Sequence, residues 1–562
     1  MPGTEDRTFH GIGVSAGTAV GPLVVVTPPP TAPADEPPAA DPAAAIEQVK
    51  GVLEDVANGL QAKAAVASDH AKPILEAGAL MARDPGLAMG IENQINSGKG
   101  PTNAVAAAVE EIASMFLALG GYMAERVTDL QDVRDRAIAR LLGQPEPGVP
   151  TLTTPSILAA HDLAPAETAT LTTDTCLGIV TSAGGPTSHT AILAAQLGIP
   201  AVVQAVGITD VPAGTVVAID GGVGEVTINP SEEEQRLLAE RKRRREAALA
   251  QGTGKGATKD HYPVQLLANI GTADDARKAA TTSAEGVGLF RTEFLFLDSD
   301  VMPTVEEQTK VYTEVFQAFG ERKVVVRTLD AGADKPLKFA DLGPEENPAL
   351  GRRGLRLGMI RTDVMDAQLE ALAAAQKATG AEVWVMAPMV ATEAEAIWFA
   401  QRVRALGLPR VGVMIEVPAA AIRSRGILYH VDFASLGTND LSQYTMAADR
   451  MQGELATLLD PFEPALLDVV ALACAGGQAM GKPVGVCGEA GGDPALALVL
   501  TGLGVSSLSM APSKIPAVRT ALALHTREQC QQMAAAARAS TSPAAARAAV
   551  LKMADPVLLD LV

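Results

Sequence analysis

From residue 263 to the end, one short pattern recurs eight times: an apolar run of strand length, in most cases followed by a helical stretch. The runs are Val264–Ala268, Gly286–Phe290, Lys323–Val326, Val383–Ala387, Val411–Ile415, Phe433–Leu436, Pro483–Val486 and Val505–Leu508. Eight βα repeats over about 260–300 residues fit a closed (β/α)8 barrel. In that architecture chemistry gathers at the C-terminal ends of the strands. Here those ends are polar in a consistent way. The second run leads into Arg291-Thr292-Glu293 and the third into Arg327-Thr328-Leu329-Asp330. The fifth leads into Glu416, the sixth into Gly437-Thr438-Asn439-Asp440 with Arg450 further on, and the seventh into Cys487-Gly488-Glu489.

Glu416 and Asp440, carboxylates on neighbouring strands, make a plausible Mg²⁺ site, because Mg²⁺ takes one or two carboxylates and leaves its other positions to water and substrate oxygens. Three arginines at the same mouth, Arg291, Arg327 and Arg450, would bind a polyanion through forked hydrogen bonds. Each residue alone also reads as a rim salt bridge or an inter-strand partner. Their coincidence at one barrel face favours a site. Cys487 reads either as a buried, inert thiol or as a proton donor or acceptor. Asp334-Lys335, Glu346-Asn347, Arg353 and Arg356 fall in a long loop after the third strand, placed to close over a ligand.

The first half is built differently. Residues 8–27 read as strand–turn–strand, and residues 28–42, rich in Pro, Ala and Asp, as a mobile surface loop. A helical bundle of about four helices follows, at Ala44–Leu60, Ala71–Met81, Ala104–Leu117 and Ala124–Leu142. Short strands and helices return over 150–228, so the bundle looks inserted into an α/β unit. Within that unit, Gly184-Gly185-Pro186-Thr187-Ser188-His189-Thr190 precedes an alanine-rich helical run. His189 thus falls at the first turn of a helix, where unpaired N–H groups and the helix dipole favour a phosphoryl group. An imidazole there can act as a nucleophile, or it can merely stand beside a cap formed by Thr187 or Ser188. The run Glu232-Glu233-Glu234 to Arg241-Lys242-Arg243-Arg244-Arg245 reads as a solvated linker helix, and Gly252, Gly254 and Gly256 mark a hinge.

Composition narrows the function classes. A length of 562 residues implies several domains, and a net charge of −20 argues against a nucleic-acid partner. Cys176, Cys474, Cys487 and Cys530 form no CxxC pair, which signals neither a zinc site nor a disulfide framework. The charge-free stretches Thr175–Thr209 and Pro494–Ser513 are broken by glycine, proline or serine, so a membrane span is not expected. Met1–Thr8 has no apolar core, so a signal peptide is not expected either. A soluble, cytoplasmic protein is the resulting expectation.

Five motifs occur in one order: Gly-Gly-x-Thr-Ser-His-Thr-Ala-Ile, Gly288-Leu-Phe-Arg-Thr-Glu-Phe-Leu-Phe, Gly412-Val-Met-Ile-Glu-Val-Pro-Ala-Ala, Gly437-Thr-Asn-Asp-Leu-Ser-Gln-Tyr and Gly485-Val-Cys-Gly-Glu. Together with Gly11-Ile-Gly-Val-Ser-Ala-Gly, they resemble enzyme I of the bacterial phosphotransferase system, and the resemblance covers nearly the whole chain. Pro186 stands where that family often has Arg, and Arg352 where an aromatic is common.

The resemblance implies a multidomain α/β protein. Its parts would be a swivelling phosphohistidine domain (1–22 and 145–230), an inserted helical carrier-docking domain (23–144), a linker helix and hinge (231–260), and a TIM barrel that binds phosphoenolpyruvate and dimerises (261–562). It implies autophosphorylation of His189 from phosphoenolpyruvate with release of pyruvate. The phosphoryl group would then pass to the histidine-containing phosphocarrier protein HPr, the first step of sugar uptake. By position, Arg291, Arg327, Arg450, Asn439 and Arg353 match the substrate-binding residues, Glu416 and Asp440 the Mg²⁺ ligands, and Cys487 the proton donor to the enolate. The family implies a homodimer. A pyruvate phosphate dikinase or phosphoenolpyruvate synthase would need a nucleotide-grasping domain, for which residues 20–145 are too short and too Ala-rich. A non-catalytic phosphoenolpyruvate sensor would be favoured by loss of His189 or the carboxylates, and all are present.

Overall fold

The computed structural model describes residues 8–26, 29–66, 71–119, 127–150, 152, 154–163, 171–185, 190–191, 194, 197–297, 299, 301–332, 337–340, 342–450 and 452–562. Two compact units divide at Ala239/Glu240.

In the first unit, eight strands form one sheet: β1 (Thr8–His10), β2 (Ile12–Ser15), β3 (Thr18–Val25), β4 (Ser156–Ala160), β5 (Cys176–Thr181), β6 (Ala201–Val203), β7 (Val216–Asp220) and β8 (Glu225–Ile228). Their order is β1-β8-β7-β3-β4-β5-β6-β2. β3 to β6 run parallel, and β4 is buried along its whole length, as a strand covered on both faces must be. Residues 8–27 therefore hold three strands where a strand–turn–strand was expected. The breaks fall at Gly11 and Gly17.

Between β3 and its parallel neighbour β4 the chain makes the helical insertion: α1 (Pro42–Val66), α2 (Ala71–Ala82), α3 (Pro85–Asn96), α4 (Pro101–Leu119) and α5 (Val127–Leu141). They close on Val49, Leu53, Val56, Leu60, Leu75, Ile91, Val105 and Ile138. The sequence reading missed α3. Its start is nonetheless signalled: Asp84 Oδ1 accepts N–H groups from Gly86 and Leu87 at 2.8 and 3.1 Å, and Pro85 occupies the first helical position. Residues 29–41 of the Pro/Ala-rich segment form a surface loop, as expected, and its Glu36 carboxylate caps α4, accepting from Thr102 N at 3.1 Å and Asn103 N at 2.9 Å, while Asn103 Nδ2 donates to Pro33 O at 2.7 Å. A carboxylate at a helix N-terminus satisfies orphan donors and meets the positive end of the dipole.

The second unit is the expected barrel. β9 (Gln265–Ile270), β10 (Val287–Arg291), β11 (Val324–Arg327), β12 (Val383–Ala387), β13 (Arg410–Ile415), β14 (Phe433–Leu436), β15 (Val484–Val486) and β16 (Ser507–Met510) close in parallel. The outer faces of the strands pack on the surrounding helices in one continuous core. β16 starts two residues later than Val505–Leu508 because it alternates: Leu508 and Met510 join the outer core, while Ser509 turns inward to donate to Asn269 Oδ1 at 2.5 Å.

The helix Glu232–Gln251 also departs from expectation. Its arginines are not merely solvated: Arg241 donates to Leu559 O (2.9 Å), Arg244 to Asp560 Oδ2 (3.0 Å) and Arg245 to Asp560 O and Leu561 O (2.9 and 2.8 Å). Gly252 does not loosen the chain, since a Cβ there would stand 2.5 Å from Thr520 Oγ1. The four cysteines are buried and unpaired in disulfides. Among the described residues, no helix is long and apolar enough to cross a membrane.

Candidate active site

Pro186, Thr187, Ser188 and His189 lie outside the described residues. Their flanks are fixed. Gly184 has φ +87°, its carbonyl accepts from Gln204 Nε2 at 2.9 Å, and the buried Thr190 donates to Asp162 Oδ1 at 3.1 Å.

The other expected residues converge at the C-terminal mouth of the barrel. β10 and β11 pair with Arg291 opposite Arg327, so two arginines leave adjacent strands at one level. Arg291 is partly exposed, and its Nη2 stands 3.9 Å from Glu489 Oε1. Arg327 is only 7% exposed. Its Nη2 donates to Glu293 Oε1 at 2.7 Å, and Nη1 lies 3.0 Å from Asp330 Oδ2. Burial opposes the guanidinium charge, but Glu293, Asp330 and Glu416 outweigh it and hold the pKa above the ordinary arginine value. Arg327 Nε is buried without a hydrogen-bond partner among the described residues.

Glu416 follows β13 and is 1% exposed. Its Oε1 accepts the Met389 N–H at 2.6 Å. Burial first, then the charges of Asp440 and Asp330, push its carboxyl up to about 8. A Cβ on Gly437 would come within 2.7 Å of Glu416 Oε2, so the turn after β14 needs a glycine to pass the carboxylate. That turn opens the helix Thr438–Met446, which carries Asn439 and Asp440. Asp440 is held by Arg353 Nη1 at 3.1 Å and Arg450 Nη1 at 3.5 Å. Two buried carboxylates, of which Glu416 feels the charge of Asp440 and has an oxygen with no hydrogen bond among the described residues, are a donor set that a hard divalent cation would relieve.

Asn439 Oδ1 accepts the Glu489 N–H at 3.3 Å, which joins the ends of β14 and β15. Gly488 allows this approach, since a Cβ there would sit 1.9 Å from Thr438 Oγ1. Cys487 lies in the inward layer with Leu289, Val325, Met386, Met414 and Phe433, its Sγ 3.6 Å from Leu436 O. Burial pushes its thiol up to about 11, so it carries its proton at neutral pH.

Arg353, expected among the ligand contacts, stands beside two carboxylates of the site. It is 1% exposed, with Nη2 on Asp330 (3.1 and 3.3 Å) and Nη1 on Asp440 and Tyr444 Oη (3.1 and 3.4 Å). Its contacts fit a clamp between two carboxylates. Asp334 and Lys335 lie outside the described residues.

Several organising residues escaped the sequence reading. Glu293 orients Arg327 and Asp330 orients both buried arginines, and their place at strand ends was the available signal. Gln368 had none: it sits mid-helix among alanines. There its side chain accepts from Leu329 N at 2.9 Å and donates to Thr292 Oγ1 and Tyr312 Oη at 3.0 and 3.1 Å, tying the β10 and β11 ends together. Tyr444, which donates to Ala349 O, ends the motif that begins at Gly437, but no role was read for it.

The sequence matches three family models in chain order: "PEP-utilising enzyme, N-terminal" over residues 10–126, "PEP-utilising enzyme, mobile domain" over 152–224, and "PEP-utilising enzyme, PEP-binding domain" over 245–527. A phosphoenolpyruvate-protein phosphotransferase of Streptomyces coelicolor is 50% identical, covering 97% of this chain and 98% of its own. Proteins of the same name from Haloferax volcanii and Bacillus subtilis are 37% and 36% identical, covering 92% and 82% of this chain and 94% and 83% of theirs. A barrel mouth lined by arginines, buried carboxylates and a protonated thiol thus stands in a chain that belongs to the phosphoenolpyruvate-protein phosphotransferases of the PEP-utilising enzyme family.

Proposed function

We propose that this chain transfers the phosphoryl group of phosphoenolpyruvate to His189, releases pyruvate, and passes the phosphoryl group on to a histidine of HPr. The observation that carries this reading is the mouth of the barrel, where Arg291, Arg327 and Arg450 gather beside the buried pair Glu416 and Asp440 and the protonated Cys487. The domain limits we assign are 1–22 with 145–230 for the phosphohistidine domain, 23–144 for carrier docking, 231–260 for the linker and 261–562 for the barrel. We also assign a homodimer through the barrels and a cytoplasmic location.

Arg291, Arg327 and Arg450 bind the phosphate and carboxylate groups, and Asn439 lies beside the phosphate. Arg327 is pre-set for this by Glu293 and Asp330, so little reorganisation is needed when the anion arrives. Glu416 and Asp440 would hold a divalent cation, Mg²⁺ in this reading, which when bound offsets charge on phosphate oxygens. An imidazole nitrogen of His189 bonds to phosphorus as the bond from phosphorus to the enol oxygen breaks, and that oxygen keeps the electron pair. Cys487 Sγ–H then gives its proton to the methylene carbon of the enolate, yielding pyruvate, and the thiolate regains a proton from water. His189 serves both partners in turn, which requires its domain to swivel.

The test is a two-step label experiment. Labelled phosphoenolpyruvate with a divalent cation should load the chain with acid-labile phosphate, and HPr should then remove it. A chelator should stop loading but leave delivery from the loaded chain to HPr intact. Loading that is indifferent to the chelator would remove Glu416 and Asp440 from the reading.

A further inference from the structure

The barrel has a cavity at the N-terminal ends of its strands, opposite the mouth described above. It has a volume of about 60 Å³ and lies among Gln265, Leu267, Val325, Trp384, Phe433 and Ser507. The inward layer that includes Met386, Met414 and Cys487 stands between the two ends.

Lys323, the residue before β11, borders this cavity. Its Nζ donates to Gln265 Oε1 at 2.6 Å and stands 4.6 Å from the centre of the Trp384 ring. Among the described residues no carboxylate lies within 4.0 Å of it. The nearest acidic groups are committed elsewhere. Glu382 accepts from Trp384 Nε1 at 3.0 Å, and Glu285 Oε1 accepts from Gly256 N and Leu266 N at 2.7 and 3.1 Å. Arg410 adds a second cation, 5.9 Å from the Trp384 ring. Lys323 is half-buried, and an open cavity beside an ammonium with no carboxylate within ion-pair distance admits an anion. Burial lowers the Lys323 ammonium to about 8, against the weaker pull of Glu382 and Glu285, so it is still charged at neutral pH.

We propose that this cavity binds a short-chain monocarboxylate, its carboxylate on Lys323 Nζ and its alkyl group against Trp384, Phe433, Val325 and Leu267. The volume sets the size: a dry cavity of roughly 150 Å³ takes benzene, so by the same ratio this one encloses about two or three heavy atoms. Acetate is within that limit with its methyl group enclosed and its carboxylate oxygens at the exposed Lys323 edge, and hexanoate exceeds it. A ligand of so few atoms binds in the millimolar range.

The experiment uses the full chain with Trp398→Phe, which leaves Trp384 as the one tryptophan. Acetate titrated at constant ionic strength and pH 7 should change Trp384 fluorescence saturably. Lys323→Met, with its fold checked by its urea midpoint, should weaken the response at least about tenfold. Arg291→Met, at the opposite mouth, should leave it unaltered, and hexanoate should give none. The anion binds the protonated lysine, so affinity should be flat below pH 8 and fall about tenfold per unit well above it. That pH series needs no variant at Lys323. No saturable response to acetate, equal affinity in Lys323→Met, or affinity unchanged to pH 9.5 would each overturn the proposal.

Discussion

Replacing Arg353 by methionine separates a clamp from a ligand contact. The side chain bridges Asp330 and Asp440 at 3.1 Å each and is 1% exposed. Methionine retains much of the apolar stem and removes the charge. Breaking a buried ion pair by deleting one partner costs about 3–5 kcal/mol. Both carboxylates keep another arginine, Arg327 at 3.0 Å from Asp330 and Arg450 at 3.5 Å from Asp440, so the loss should fall at the low end. A cost of about 3 kcal/mol is roughly a hundredfold in the folding equilibrium. Both tryptophans, Trp384 and Trp398, belong to the barrel unit, so urea unfolding of the full chain followed by their fluorescence reports that unit alone. Asp330→Asn with Arg353→Met should cost less than the sum of the single changes, with a coupling of about 1–3 kcal/mol. If Arg353→Met moves the transition by less than about 0.5 kcal/mol and only raises KM for phosphoenolpyruvate, the residue is a ligand contact and the clamp is refuted.

Three further outcomes are expected. Cys487→Ala should still load His189 while stereospecific protonation of enolpyruvate slows about 10²–10⁴-fold, and unchanged one-face deuterium incorporation would make Cys487 a packed residue only. A fragment ending at Ala239 should accept phosphoryl from phosphorylated HPr but not from phosphoenolpyruvate, and direct loading from phosphoenolpyruvate would contradict the division of labour. His525 is neutral in the fold, its Nε2 accepting the Asp555 N–H at 2.8 Å and its Nδ1 bonded to Ala521 O at 2.7 Å, and burial lowers its pKa below 6.5. The unfolded chain therefore takes up that proton first. Barrel stability should decline as pH falls through about 6.5 and less so in His525→Gln, whereas identical profiles would refute the assignment.

Barrel and strand ends were legible because five of the eight apolar runs lead into functional-group side chains that the barrel aims into one mouth. Arg291, Arg327, Glu416, Asp440 and Cys487 all arrive that way. What sequence hid were contacts made across long separations. Nothing local marks Gln368 as a hub for two strand ends, or Asp560 as the partner of Arg244. Glu36 sits in a stretch whose composition suggests mobility, yet its carboxylate meets a helix start 66 residues away. Composition reports what a segment cannot bury, and it is silent on a single well-placed hydrogen bond.

The most direct test is the site of phosphorylation. The full chain and His189→Ala are incubated with phosphoenolpyruvate and Mg²⁺, and acid-labile phosphate is mapped by mass spectrometry on peptides kept at alkaline pH. The account predicts one phosphohistidine, at His189, absent from the folded variant. Acid-labile phosphate that persists in His189→Ala, or that maps to another histidine in the native chain, would contradict it.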